Sequence, residues 1–523
     1  MINPLINNLY FSEYWLSSNS IIDSFLLFIC LAFVCRSAFH SLQRFARPAF
    51  IMAVFTIILY QIPLVLFSPL FYNHLPSAKW FAISIHFAVI ANLAWVYFTP
   101  KLNNLSATNN NNIQKEYAEK YFVGLAFWLP TSIFFILLGL YFYKIPFSCT
   151  ALFALFTDQD ITLLVREIIG KLMGRTYAPH VLNTLTSGVG PIIAFLCIGR
   201  IYFDCKKQKY FLLPLWTLLL SIVMITPLLG GAKGSLVPMA IALSVSGFLV
   251  AKNWKLKIII VSGIIAVFVC TITLVKVTQE SSVGKGNYNF GSCITILGVC
   301  ERTKPLLESL RPPKAYYGLT RERLDDLGDE MVESCKISKI KSEPLIENIE
   351  SKSNKPAIPS LETHIVAMFY RIFGNPIQVA SWHYLFVDEH GSPSFNGLAI
   401  AKIFSENYVS VPAQVCDIYY TGDKTSACTA PTSYIFTYPA YLGLIGLLIA
   451  CFLTIIFDVI ASLFIKYSAK PFADLTIGLT TVAIVNFIVA DYTTVIISHG
   501  AGVAIIILIM MRACVNLSGK SKL

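Results

Sequence analysis

The sequence predicts an all-α polytopic membrane protein of about eleven transmembrane helices (roughly 10–13) with one large external loop. Three observations predict it. Of 523 residues, 56% are hydrophobic and only 13% charged, with a mean hydropathy of +0.66, whereas a soluble domain is ~25% charged and ~45–50% apolar. Apolar runs recur along the whole chain, and at ~20 residues per crossing they occupy roughly 220 positions. The links between them alternate between basic and almost uncharged, which is the pattern of positive-inside topology. A soluble enzyme, a fibrous or disordered chain and a nucleic-acid binder are excluded.

In chain order the spans are read at 21–35, 50–72, 80–98, 122–143, 184–203, 210–229, 236–251, 258–275, 434–465, 473–489 and 495–511. The basic links hold Arg36, Arg44 and Arg47; Lys101, Lys115 and Lys120; Lys206, Lys207 and Lys209; Lys252, Lys255 and Lys257; Lys466 and Lys470; and Arg512, Lys520 and Lys522. Short links on the other side contain just Lys79 and Lys233. The seventeen basic residues therefore mark the cytoplasmic side, with the N-terminus outside and the C-terminus inside. The first twenty residues carry no Lys or Arg, so the basic n-region of a cleavable signal is missing and the first span is expected to be retained. The chain divides into 1–275 (eight spans, with an external amphipathic helix near 159–175), 276–433 (the large loop) and 434–523 (three spans and a cytoplasmic tail).

Two segments, 144–183 and about 276–433, fall outside the cytoplasm. In the first, Ile161, Leu164, Val165, Ile168, Ile169 and Leu172 follow i, i+3, i+4, i+7, i+8, i+11, the spacing of an amphipathic helix. It reads as an interfacial helix on the outer leaflet with a cationic edge at Arg166 and Lys171, or as a scaffold helix packed over the bundle. In the second, 321–350 holds nine acidic residues among Lys and Arg, read as a solvated helix or flap. The thirteen cysteines show no metal-binding spacing. Six of them, Cys149, Cys293, Cys300, Cys335, Cys416 and Cys428, lie outside in a compartment that permits disulfides. Cys293–Cys300 and Cys416–Cys428 are the first pairs to expect.

Three passages can carry chemistry. Gly230-Gly231-Ala232-Lys233-Gly234-Ser235 is a glycine-rich turn opening a helix, either an anion site or a tight turn with one snorkelling lysine. In 361–373 an amphipathic helix would stack His364 and Arg371 on one face, roughly 10 Å apart, able to hold a hydroxyl and a phosphate together. The alternative pairs Arg371 with Glu362 or Asp388. Then come Ser381-Trp382-His383-Tyr384 and Asp388-Glu389-His390-Gly391, aromatics beside hydrogen-bonding groups that suit sugar rings or a membrane interface, with a His as general base.

Four passages resemble the oligosaccharide repeat-unit polymerases, the Wzy-type O-antigen and capsule polymerases, which are related to the O-antigen ligases. They are LLGGAKGSLVPMAIALSVSGFLV, with Lys233 where the family has an arginine; FYRIFGNPIQVA, with Arg371; PSFNGLAIAKIF; and TAPTSYIFTYPAYLGLIGLLIACFLTIIFD, with Gly443 and Gly446. The resemblance implies a GT-C-like architecture in the bacterial inner membrane. It implies a metal-independent glycosyltransferase without cofactor, whose donor and acceptor are undecaprenyl-pyrophosphate-linked oligosaccharides joined on the periplasmic face, with a chain-length regulator as a further partner. Arg371 and Lys233, aided by Arg166, would bind the pyrophosphate, and His364 or His383 would activate the acceptor hydroxyl. An O-antigen ligase and a lipid-linked oligosaccharide flippase are the alternatives.

Overall fold

The computed structural model describes residues 18–40, 47–66, 75–99, 120, 122–158, 161–169, 173, 177–230, 236–250, parts of 254–266, 288–309, 321–336, 374–421, 430–468 and 470–520. Among them there is no strand. Seven helices are long and apolar enough to cross a membrane: Pro48–Leu66, Ala78–Phe98, Leu125–Lys144, Ala178–Lys206, Tyr210–Gly230, Tyr434–Lys466 and Phe472–Val489. Val237–Val250 and Ala501–Asn516 are shorter apolar helices, and the expected first span lies within the helix Ser18–His40. The expected span at 258–275 falls mostly outside the described residues.

Two expected spans are each broken by a glycine. The stretch 434–465 is not one straight crossing, because Gly443 adopts φ 59° and ψ −138°, a conformation that excludes Cβ-bearing residues. A straight 34-residue helix would run ~50 Å, far beyond a ~30 Å hydrocarbon core, and the break at Gly443 divides it. A Cβ on Gly446 would overlap the Tyr438 carbonyl oxygen, so the two glycines form one hinge. Gly446→Ala is expected to lower thermal stability in detergent by ~1–3 kcal/mol or more. Gly139→Ala, a helical position with nothing within 4 Å of its would-be Cβ, should be neutral or slightly stabilising; equal behaviour of the two variants would disprove the hinge. Likewise 495–511 splits into Tyr492–Ile497 and Ala501–Lys520 at Gly500, φ +77°, where a Cβ would sit 2.7 Å from the Thr184 Cα.

Two buried polar clusters tie the spans together. Arg47 and Asp458, 2% and 0% exposed, form an ion pair. Arg47 also donates to the Thr99 carbonyl (2.9 Å) and hydroxyl (2.6 Å), and Asp458 accepts from the Ala49 amide (3.0 Å) and the Trp95 indole (2.9 Å). Arg47, expected as a topological anchor, is therefore a buried clamp joining three helices at one end of the bundle. Deeper in, the Gln61 amide donates to His86 Nδ1 and His86 Nε2–H to Asp23, both at 2.8 Å. This satisfies polar groups that would be costly in hydrocarbon.

The two segments read from the sequence as external pack together into a second layer. Ile161, Leu164, Val165, Ile168 and Ile169 are all at most 3% exposed, in a core shared with Phe290, Ile294, Leu324, Leu327 and Met331. The amphipathic helix is thus a core helix of this cap, not an interfacial one, because the loop covers its apolar stripe. The helix Arg321–Cys335 is likewise packed rather than free, and Arg323 pairs with Asp158. The disulfides are Cys149–Cys293 and Cys300–Cys335, not Cys293–Cys300. The left-handed turn at Gly298 separates the two helices that carry Cys293 and Cys300, so each bonds outward to a different element. Cys416 is also disulfide-bonded, and Cys428 lies outside the described residues. The bonded cysteines fall in the two segments assigned to the outer side, whereas free Cys30, Cys35, Cys197, Cys205, Cys451 and Cys514 lie on the helices of the bundle. That partition fits one oxidising face.

Candidate functional site

A large polar cavity lies where the loop helix Asn375–His390 meets one end of the bundle. The helix Asn375–His390 opens with Pro376 in its first turn, the position where a missing N–H costs nothing. It is seated by Ile377, Ala380, Tyr384 and Phe386 in a core with Phe81, Ile85, Tyr434 and Phe436. Its C-terminal end is fastened by Asp388, which accepts the Ser77 backbone N–H at 3.1 Å, and Tyr384 donates to the Ser84 hydroxyl at 2.9 Å. This docking leaves a cavity of about 760 Å³ beside the helix, lined among others by Asn375, Trp382, Tyr408, Thr437, Tyr441, Asp491 and His499. The volume is in the ~300–1,000 Å³ range of small-molecule sites.

Three groups give the cavity its chemistry. Asp491 is half-buried and caps the helix Tyr492–Ile497, accepting from the Thr493 amide (2.9 Å) and hydroxyl (2.8 Å). Burial pushes its carboxyl above the ordinary aspartate value, and the hydrogen bonds from Thr493 and Thr494 oppose that rise. His499 lies within electrostatic range of His180, which itself lies within electrostatic range of Lys402. The Thr437 hydroxyl, 5% exposed, has no hydrogen-bond partner among the described residues. A buried unsatisfied hydroxyl is costly unless something that enters the cavity bonds to it. Trp382 stacks on Tyr419 with ring centres 6.3 Å apart, fixing one aromatic wall.

Of the residues expected from sequence, His383 is at the cavity's back wall with no exposed surface. Its Nε2 lies 2.8 Å from the Ala430 carbonyl, which can only accept, so Nε2 carries the proton and Nδ1 accepts from the Tyr441 hydroxyl at 2.6 Å. Burial pulls the imidazole down to about 4, against the effect of the Ala430 carbonyl, so the ring is neutral at physiological pH. It therefore acts on the cavity only through the lining residues Tyr441 and Ala430, as a positioning residue. Arg166 is exposed on the cap and does not line the cavity. His364, Lys233 and Arg371 lie outside the described residues.

Sequence reasoning passed over Asp491 and His499. The available signal was a lone carboxylate, followed by Tyr492-Thr493-Thr494, in a link otherwise without charge. No protein-family model, no curated protein and no solved structure matches the chain.

Proposed function

We propose that the chain is a membrane glycosyltransferase of the repeat-unit polymerase class. In this reading it has about eleven spans and a GT-C-like architecture in the bacterial inner membrane, with the N-terminus periplasmic. It joins undecaprenyl-pyrophosphate-linked oligosaccharides on the outer face. The observation that carries the reading is the cavity between loop and bundle, in which a half-buried carboxylate, an unpartnered hydroxyl and stacked aromatics converge. Sugars need such a mixture of flat apolar faces and hydrogen-bonding groups.

The acceptor hydroxyl gives its proton to the Asp491 carboxylate as its oxygen forms the new bond to the anomeric carbon of the donor. The bond from that carbon to the lipid pyrophosphate breaks, and the pyrophosphate leaves with the electron pair. Positive groups at the cavity's edge stabilise the developing charge. Lys402, within electrostatic range of His180, supplies part of this field. Arg371 precedes the lining residue Asn375 by four positions, at most ~14 Å of extended chain, and Lys233 is the second proposed pyrophosphate ligand. Arg166, remote from the lining, takes no part. Tyr441, held by His383, orients the acceptor.

Arg371→Ala and Lys233→Ala, made separately in cells whose surface polysaccharide resolves as a ladder, are each expected to remove long chains while single units still reach the surface. An unchanged ladder for both, at normal protein levels, would overturn the assignment of the pyrophosphate ligands. Arg371→Lys should fail if a planar fork must grip phosphate and survive if charge suffices. Retained lipid-linked polymer with none attached would instead indicate a ligase.

A further inference from the structure

The groove that holds the candidate site does not end at Trp382. Asn375, Val379 and Trp382 lie along one stripe of the Asn375–His390 helix, and Phe386 and His390 continue that stripe one and two turns further. These last two line a second cavity of about 580 Å³. The helix Val411–Val415 and the turn Cys416–Thr421 that follows cross between the two. Pro412 and Cys416 face the first cavity, whereas Gln414, Asp417 and Ile418 face the second, as expected for positions two apart and so about 200° around a helix.

The second cavity carries the groups that a pyranose ring requires. His390 stacks flat on Phe386, with centres 4.7 Å apart and planes at 13°, and presents its other face outward. Its Nδ1–H donates to the Phe386 carbonyl at 3.3 Å, which leaves Nε2 to hydrogen-bond a ligand. The Gln414 amide and the Asp417 carboxylate add donors and acceptors. Among the described residues no lysine or arginine lines the cavity, and Asp388 and Glu389 are exposed in the last turn of the helix, which disfavours acidic sugars. The Ser392 hydroxyl donates to the Tyr441 carbonyl at 2.6 Å, tying the rim of the second cavity to a wall of the first.

The geometry points to a carbohydrate subsite in this second cavity that holds neutral or amino sugars of the glycan away from the reacting bond. Trp382 and His390 are separated by ~12 Å along the helix axis, so one oligosaccharide can occupy both compartments. The inference rests on the transferase reading, which supplies the glycan.

Its test uses the full chain in lipid nanodiscs. The probe is a set of neutral oligosaccharides made by partial acid hydrolysis of the surface polysaccharide of the cells that express the chain, with an oligogalacturonate as the acidic comparison. Saturation-transfer NMR is expected to show binding of the neutral probe, weakened ~5-fold or more by His390→Ala and by Gln414→Ala, the loss that one hydrogen bond or stacking contact brings. In cells, both variants should shorten the modal chain length while the joining of two single units is unchanged. Binding and chain length like wild type in both variants would overturn the subsite, and equal binding of the oligogalacturonate would overturn its sugar class. If cells lacking the chain keep a normal ladder, the polymerase reading fails on its own, and the binding measurement still decides the subsite.

Discussion

Replacing Asp491 by Asn is expected to reduce transfer of lipid-linked units by ~10²-fold or more, the span of ~10²–10⁴ that a positioned general base contributes. Asparagine is as good a helix N-cap as aspartate, so the bond from the Thr493 amide (2.9 Å) survives and the helix Tyr492–Ile497 stays in place. Burial opposes the charge that the substitution removes, so protein level and thermal stability should not fall. The loss is then chemical. The pH profile of the wild type supplies an independent readout. A base works only when deprotonated, and its carboxyl is raised by burial. Activity should therefore decline, as pH falls, at a higher pH than an ordinary aspartate near ~3.9 would give. Turnover of Asp491→Asn within tenfold of wild type, measured on purified protein with lipid-linked units, would remove Asp491 from the mechanism.

The second large effect is on stability. Asp458→Ala should destabilise the bundle by ~3–5 kcal/mol, because it leaves the Arg47 guanidinium, 2% exposed, without its counter-charge in the interior. Arg47→Ala should cost a similar amount by stranding the carboxylate. Arg47→Met combined with Asp458→Leu should recover most of the loss, since apolar groups of similar volume replace a buried ion pair at little net cost. A thermal-unfolding series in detergent checks the cycle. Additive losses in the double variant would show that the two residues act independently.

The outer layer shows how far periodicity alone carries. The spacing of Ile161, Leu164, Val165, Ile168 and Ile169 specified a helix with one apolar stripe, and the structure has helix there with all five buried. The pattern was silent on the partner of that stripe. The partner comes from Phe290, Ile294, Leu324 and Leu327, more than a hundred residues away, the last two in a passage whose acidic composition reads as solvated. The same holds for Cys293, whose bond to Cys149 depends on two segments meeting across the outer face. His383 was legible as a residue beside aromatics, but its neutral, relayed role follows from the Ala430 carbonyl and Tyr441 hydroxyl, 47 and 58 positions further along.

By itself the sequence determined that this chain is an all-α membrane protein, because apolar length and the alternation of basic links respond to bilayer thickness and charge, and both are local in the chain. It also grouped 144–183 with 276–433, and those two segments share a core and a disulfide. Only the tertiary structure decided which polar residues meet. Asp491 and His499 flank the short helix Tyr492–Ile497, Thr437 and Tyr441 come from the helix before the break at Gly443, and Trp382 from the loop helix. No local pattern encodes their convergence, which exists because the loop helix docks on the outer ends of the spans and leaves a cavity beside it.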